Sequence, residues 1–122
     1  MLAGKRAVRV GDQIQKGISY LLLERVKDPR VRGVTVTGIK LSNDLKRARV
    51  FFSVIGEQDQ INKAQAGLDS AKGFIKREIG LRLSLRYTPE IIFTYDPSLE
   101  IGSHMESLFE KLKYNESKNG AE

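Results

Sequence analysis

Basic side chains are concentrated in residues 70–88, which read SAKGFIKREIGLRLSLRYT. This stretch contains five cations, while Glu78 is its one acid. Lys72 and Lys76 are four residues apart, a spacing that places side chains next to each other on a helix. A row of such groups binds phosphates with an affinity that falls with salt and with little sequence specificity. A helix face covered by water has the same pattern, so the residues alone leave both interpretations open.

The chain as a whole is also basic. Its 122 residues include 21 Lys and Arg against 15 Asp and Glu, a formal net charge of +6. This excess favours a polyanionic partner, although a soluble basic protein without one can have the same composition. Further candidate phosphate contacts are Arg6, Arg9, Arg30, Arg32, Lys46, Arg47 and Arg49. For Lys46, Arg47 and Arg49 there is a second interpretation, as charges that keep a hairpin edge from pairing with another chain.

The residue combinations that catalytic and metal sites need are missing from the sequence. There is no cysteine and one histidine, His104, which excludes thiolate chemistry and multi-histidine metal sites. The acids Asp28, Asp44 and Asp96 lie near predicted turns, where carboxylates bond the backbone. We therefore expect no catalytic residues, no metal and no cofactor, with an enzyme acting on nucleic acid as the less favoured alternative.

The compartment is predicted from three absences. No apolar run reaches the roughly 18 to 20 residues that span a bilayer, and the polar N-terminus does not resemble a secretory signal. The lack of cysteine is typical of a reducing compartment. We expect a cytoplasmic protein that does not contact membranes, and no long exposed apolar face demands a dimer, so we expect a monomer.

The first half of the chain has the periodicity of a helix followed by a hairpin. Apolar residues recur at helical spacing from about Val8, and this helix should end before Pro29. A strand with a bulge at Gly38 follows, and then a polar connector and a second strand, RARVFFSVI. In that second strand Phe51 shares a face with the arginines, where it could stack on a base or pack under a helix.

The second half begins with a long helical pattern that contains glycines. Apolar residues from Ile61 to Leu83 keep three- and four-residue steps, but one straight rod from Ile61 to Leu85 would be about 37 Å long, more than the ~30 Å of a small domain. We therefore predict two helices that meet in a kink at Gly73. This glycine could let RNA approach closely, could allow close helix packing, or could mark a helix end.

A third strand, EIIFTY, and a final helix from Leu99 complete the predicted elements. The strand can join the hairpin in a three-stranded sheet packed on helices, an α+β architecture with the order α-β-β-α-kink-α-β-α. That is the layout of a type II KH domain, although the usual GxxG loop is replaced by SAKG. We predict a single KH-like domain over residues 1–113 and a disordered polar tail over residues 114–122.

The kink sequence and two longer segments, LSNDLKRARVFFSV and TPEIIFTYDPSLEIGSHMESL, resemble the bacterial ribosome-binding factor A family. The likeness extends from about Ala7 to Leu112. It implies a non-enzymatic RNA-binding factor without a cofactor that binds the free small (30S) ribosomal subunit and its 16S rRNA. It also implies a role in late maturation of that subunit, including processing of the 16S rRNA 5′ end, and in growth in the cold. The predicted RNA-binding residues are Ser70, Ala71, Lys72, Gly73, Lys76, Arg77, Arg82, Arg86, Arg6, Arg9, Lys46, Arg47 and Arg49.

A KH-like module that binds RNA or DNA outside the ribosome, or a protein partner, is the alternative. Composition and periodicity are the same for both, since each needs a basic surface on a small α+β domain. Sedimentation separates them: an assembly factor should travel with free small subunits, whereas a general binder should spread across nucleic acids.

Overall fold

A computed structural model describes residues 5–98, which form two long helices, one short 3₁₀ turn and three strands. Up to the end of the third strand, the helices and strands follow one another in the order that the apolar periodicity predicts. The predicted final helix from Leu99, His104 and the predicted tail over residues 114–122 lie outside the described residues. In chain order the elements are α1 (Lys5–Glu24), the 3₁₀ turn (Pro29–Val31), β1 (Thr35–Leu41), β2 (Arg47–Ser53), α2 (Gln58–Arg82) and β3 (Glu90–Tyr95).

The helix α1 is held by one apolar side. Ile14, Ile18 and Leu21 recur at three- and four-residue steps and are fully buried. The chain leaves the helix before Pro29, as predicted, and the Asp28 side chain accepts the Arg30 backbone N–H at 2.9 Å to start the 3₁₀ turn.

The strand β2 lies in the middle of the sheet. It pairs antiparallel with β1, which confirms the predicted hairpin, and parallel with β3. The predicted bulge is present: Val36 pairs with Phe52 and Gly38 with Phe51, so Thr37 is the extra residue.

The core lies between the helices and one face of this sheet. Val50 and Phe52 from β2 are fully buried, as are Leu68 and Ile75 from α2. The alternate residues Arg47 and Arg49 are exposed, as the period of two along a strand requires. This one-sided packing is the α+β, KH-like arrangement predicted from the order of elements.

The helix α2 is one continuous α-helix of 25 residues, so the predicted division into two helices at Gly73 is not present. Its buried residues Ile61, Leu68, Ile75 and Ile79 stay on one side over the whole length. A glycine inside a helix costs only about 1 kcal/mol relative to alanine, and a continuous buried stripe outweighs that cost. The helix is therefore about 37 Å long, which is longer than the ~30 Å width expected of a small domain.

The C-terminal end of α2 is closed by a backbone hydrogen-bonding motif. The Leu85 N–H donates to the Gly80 carbonyl at 3.0 Å and the Ser84 N–H donates to the Leu81 carbonyl at 3.4 Å. This pattern is a Schellman cap, with Ser84 in the left-handed position at φ 51°. The chain then turns away from the helix axis toward β3.

Candidate nucleic-acid interface

The exposed surface at the middle of α2 contains Ser70, Gly73 and Arg77. These residues are three and four positions apart, so they line up on the side opposite the buried stripe. Arg77 forms no ion pair within residues 5–98 and is exposed, so its guanidinium is available to a phosphate. Ser70 is near the 3₁₀ turn, since its hydroxyl accepts from the Arg30 guanidinium at 3.4 Å. We call Ser70, Lys72, Gly73, Lys76 and Arg77 the α2 surface.

Gly73 is exposed, and its environment differs from that of the neighbouring glycines. A Cβ built on Gly73 meets no atom of residues 5–98 within 4 Å, whereas one on Gly80 would lie 2.5 Å from Thr88 Oγ1. Gly67 is also close packed, with a Cβ 2.9 Å from Val31 Cγ1. Gly67 and Gly80 are thus explained by contacts inside the protein. Gly73 is not, so the interpretation of Gly73 as a helix-packing residue is wrong for the described part of the chain.

Lys72 and Lys76 lie on one flank of the α2 surface and are each paired with a carboxylate. Lys72 Nζ is 3.7 Å from Asp69 Oδ1, and Lys76 Nζ is 3.4 Å from Glu90 Oε2 at the start of β3. Both pairs are partly exposed to water, where such pairs contribute little to stability. A phosphate can therefore replace either carboxylate at little cost. Ala71, predicted as part of the same site, is half-buried and packs against the core.

Arg82 and Arg86 do not continue this row, contrary to the prediction of one basic strip. The Arg82 guanidinium lies 4.3 Å from the centroid of the Tyr20 ring on α1, a cation–π contact on the other side of α2. Arg86 follows the helix end, because the left-handed Ser84 redirects the chain before that arginine is reached.

The remaining predicted contacts fall on three other parts of the surface. Arg6, Lys46 and Arg86, which are far apart in sequence, line one groove of about 400 Å³. Arg9 borders a different depression on α1. Arg47 and Arg49 lie on the sheet face away from the helices, together with the half-buried Phe51. The predicted residues therefore come together at the α2 surface, in this groove and on the sheet face, and not in one basic strip.

The carboxylates near turns have structural roles, as predicted. The Arg30 side chain donates to Asp28 and lowers the pKa of that carboxyl. Asp44 accepts from the Ser42 hydroxyl at 2.6 Å, and Asp96 accepts from the Ser98 backbone N–H at 3.0 Å. Each of these bonds lowers the pKa of its carboxyl. Within residues 5–98 no three His, Cys, Asp or Glu side chains are grouped so that they could hold a metal ion.

Neither of the two helices in residues 5–98 has the length and apolar character needed to cross a bilayer.

The comparison with known proteins points to one family. The family model described as ribosome-binding factor A matches residues 6–109. A ribosome-binding factor A from Citrifermentans bemidjiense is 46% identical over 88% of this chain and 91% of its own. The crystal structure of ribosome-binding factor A from Thermus thermophilus superposes with a TM-score of 0.64 at 20% identity, covering 73% of this chain and 94% of that one.

A second structural match carries a partner in its description. It is a homology model of the Thermus thermophilus ribosome binding factor A, fitted into a cryo-EM map of its complex with the 30S subunit. It superposes with a TM-score of 0.62 at 20% identity, covering 73% of this chain and 93% of the other. At that identity the match establishes the fold.

Proposed function

The chain belongs to the ribosome-binding factor A family, and we propose that it is a non-enzymatic assembly factor that binds the free small ribosomal subunit. The relative fitted into a 30S complex has the same fold, which supports this partner. The contact is made by the α2 surface and is directed at the 16S rRNA. The role extends to late maturation of the subunit in the cytoplasm, including processing of the 16S rRNA 5′ end and growth in the cold.

The observation that carries this proposal is the exposed Gly73. It lies in the middle of a 25-residue helix, where alanine would be more stable by about 1 kcal/mol, and no contact within residues 5–98 requires it. A glycine at such a position lets the backbone of a partner come closer to the helix than a residue with a side chain would allow. The adjacent cations are those that would meet the phosphates of an RNA backbone.

Charge on the α2 surface gives affinity, and its shape gives selectivity. Arg77 is free within the described residues, and Lys72 and Lys76 need only exchange one carboxylate each for phosphate. Phosphate contacts of this kind do not read sequence. Recognition of the subunit therefore depends on folded rRNA that fits closely against the helix backbone at Gly73.

Sedimentation tests the partner directly. The full-length protein is mixed with separated 30S subunits, 50S subunits and 70S ribosomes on sucrose gradients at low and moderate salt. Migration with free 30S subunits alone, retained at moderate salt, is the expected result. Equal binding to all three particles, lost at moderate salt, would show a general basic RNA binder and overturn the assignment.

Gly73→Ala tests the site by moving stability and binding in opposite directions. We expect the free energy of unfolding to rise by about 1 kcal/mol, because alanine fits the helix and its methyl group meets open space. We expect 30S binding to weaken at least tenfold, because that methyl group enters the interface. Urea unfolding and a 30S pelleting titration measure the two effects.

Asn62→Ala is the matched control, since it also raises helix propensity in α2 but lies eleven residues from Gly73. It loses the hydrogen bond that the Gln58 side chain donates to Asn62 Oδ1, so the net gain in stability should be below about 0.5 kcal/mol, and 30S binding should stay unchanged. If Gly73→Ala binds 30S as well as the wild type does, the α2 surface is not the interface.

A further inference from the structure

A groove of about 400 Å³ lies near the C-terminal end of α2, and three separate parts of the chain form it. The helix α1 contributes Arg6, the hairpin turn contributes Lys46, and the segment between α2 and β3 contributes Arg86 and Tyr87. None of these parts is close to another in sequence. The fold thus gathers three cations around one aromatic ring.

Tyr87 is the most unusual residue of this groove, because 78% of its surface is exposed. A ring that is so exposed adds little to the core, and within residues 5–98 its recorded ring contact is with the Arg86 guanidinium at 5.5 Å. Exposed aromatic rings beside arginines are the surfaces on which unpaired bases stack. Sequence reasoning missed Tyr87, since an isolated tyrosine after a helix carries no pattern.

The groove is electrostatically suited to phosphate. Within the described residues Arg6, Lys46 and Arg86 form no ion pair with a carboxylate. The one acid of the lining, Asp44, uses its Oδ1 to accept from the Ser42 hydroxyl and from the Lys46 backbone N–H at 3.0 Å. Three cations against one carboxylate that is already bonded leave a positive field in the groove.

The other lining residues provide an apolar floor. Val10, Leu45 and Leu85 line the groove and pack from its base against the core. Leu45 has a left-handed backbone, φ 62°, which places its side chain there in spite of the steric cost for a non-glycine residue. An apolar floor, an aromatic ring and cations at the rim match a nucleotide, which has a flat base and an attached phosphate.

We propose that this groove binds an unpaired nucleotide of single-stranded RNA, whose base stacks on Tyr87 and whose flanking phosphates contact Arg6, Lys46 and Arg86. The site deepens the proposed function and rests on it, since the RNA would be a single-stranded segment of the rRNA. It is a second contact, because about 13 Å of helix separates Gly73 from Arg82, and the groove lies beyond that point.

The test measures binding of a fluorescein-labelled octauridylate to the full-length protein by anisotropy at several salt concentrations. Tyr87→Ala should lower the affinity about 5- to 100-fold with an unchanged salt slope, because stacking is lost and charge is kept. Tyr87→Phe should stay within about twofold of the wild type, since the ring remains. Arg86→Gln should lower the salt slope by about 0.7, the value for one phosphate of a single strand.

Two controls separate this site from general attraction. Lys63→Gln removes an exposed charge near the other end of α2, paired with Asp59, and should leave octauridylate binding unchanged. An eight-base-pair RNA duplex should be insensitive to Tyr87→Ala, because its bases are already stacked.

Three outcomes would overturn the groove proposal: no octauridylate binding at low salt, equal affinity of Tyr87→Ala and the wild type, or equally strong competition by an octaglutamate peptide. None of them bears on 30S sedimentation of the wild type, which tests the proposed function. Retained 30S binding with an inactive groove would therefore reject the nucleotide site and leave the assembly role intact.

Discussion

Within residues 5–98, two non-glycine residues adopt a left-handed backbone, and contacts of the side chain explain one case but not the other. Leu45, at φ 62°, packs against the core from the hairpin turn. Ser84, at φ 51°, is exposed and takes part in closing α2 through its backbone N–H and not through its side chain. The left-handed region costs an L-residue roughly 1 kcal/mol, a cost that glycine avoids. Leu45 offsets that cost by packing against the core. Within residues 5–98, the Ser84 side chain has no contact that would offset it.

Ser84→Gly should therefore stabilise the protein. The expected gain in free energy of unfolding is about 0.5 to 1 kcal/mol, because strain is relieved but the chain gains flexibility when unfolded. A rise in melting temperature of a few degrees would accompany it. Leu45→Gly has the same backbone geometry and should instead destabilise the protein, because its side chain leaves the core. A destabilised Ser84→Gly would show that the serine side chain has a role.

The predicted contacts illustrate what a sequence can and cannot locate at the level of single residues. Lys72 and Lys76 are close because helical spacing brings them together, and this is visible in the sequence. The approach of Arg6, Lys46 and Arg86 depends on how α1, the hairpin turn and the end of α2 pack, which no local pattern contains. The same holds for Tyr87. The sequence supplied most of the candidate residues, and the tertiary structure sorted them into surfaces.

The elements themselves were largely predictable, because each has a clear apolar period. The hairpin, its bulge, the third strand and the first helix follow from alternation, glycine and proline signals. The break in α2 was the error, and its source was a comparison of helix length with domain width. A continuous stripe from Ile61 to Ile79 keeps the helix intact, and the exposed glycine is tolerated within it. The single domain over residues 1–113 stays a prediction.

The helix α2 and the strand β3 share an ion pair that tunes the charge of the α2 surface. Lys76 Nζ lies 3.4 Å from Glu90 Oε2, so the charge of the lysine is partly neutralised by this carboxylate. Glu90→Gln should free Lys76 and strengthen 30S binding about two- to threefold at low salt. Lys76→Ala should weaken binding and lower the salt slope by about one, if the lysine meets one phosphate.

The double variant Lys76→Ala with Glu90→Gln separates these effects. It should bind more tightly than Lys76→Ala alone, because the unpaired carboxylate no longer repels phosphate. Pelleting of 30S subunits at four salt concentrations gives affinity and slope together. An unchanged slope in Lys76→Ala would remove that lysine from the interface, and weaker binding of Glu90→Gln would contradict the proposed competition.

At the scale of the whole molecule, three carboxylates accept hydrogen bonds at turns, and one of them also joins two strands. Asp28 starts the 3₁₀ turn after α1, Asp44 shapes the hairpin, and Asp96 accepts from the Thr37 hydroxyl at 2.8 Å and so joins the end of β3 to β1. All three have a pKa below the ordinary value of 3.8. The main causes are the Arg30 side chain, the Ser42 hydroxyl and the Ser98 backbone N–H, respectively.

These shifts predict acid sensitivity. A carboxyl whose pKa is lower in the folded state binds fewer protons there than in the unfolded chain, so its stabilising contribution is complete above about pH 5. That contribution falls as the pH drops through the folded-state pKa values. As the pH is lowered from 6 to 2.5, the free energy of unfolding measured with urea should first stay constant and then decline. Asp96→Asn should be less stable than the wild type at pH 6 and lose less stability below pH 4, because the amide does not titrate. If Asp96→Asn and the wild type decline in parallel over that range, the Asp96 carboxylate does not contribute to the acid sensitivity of the fold.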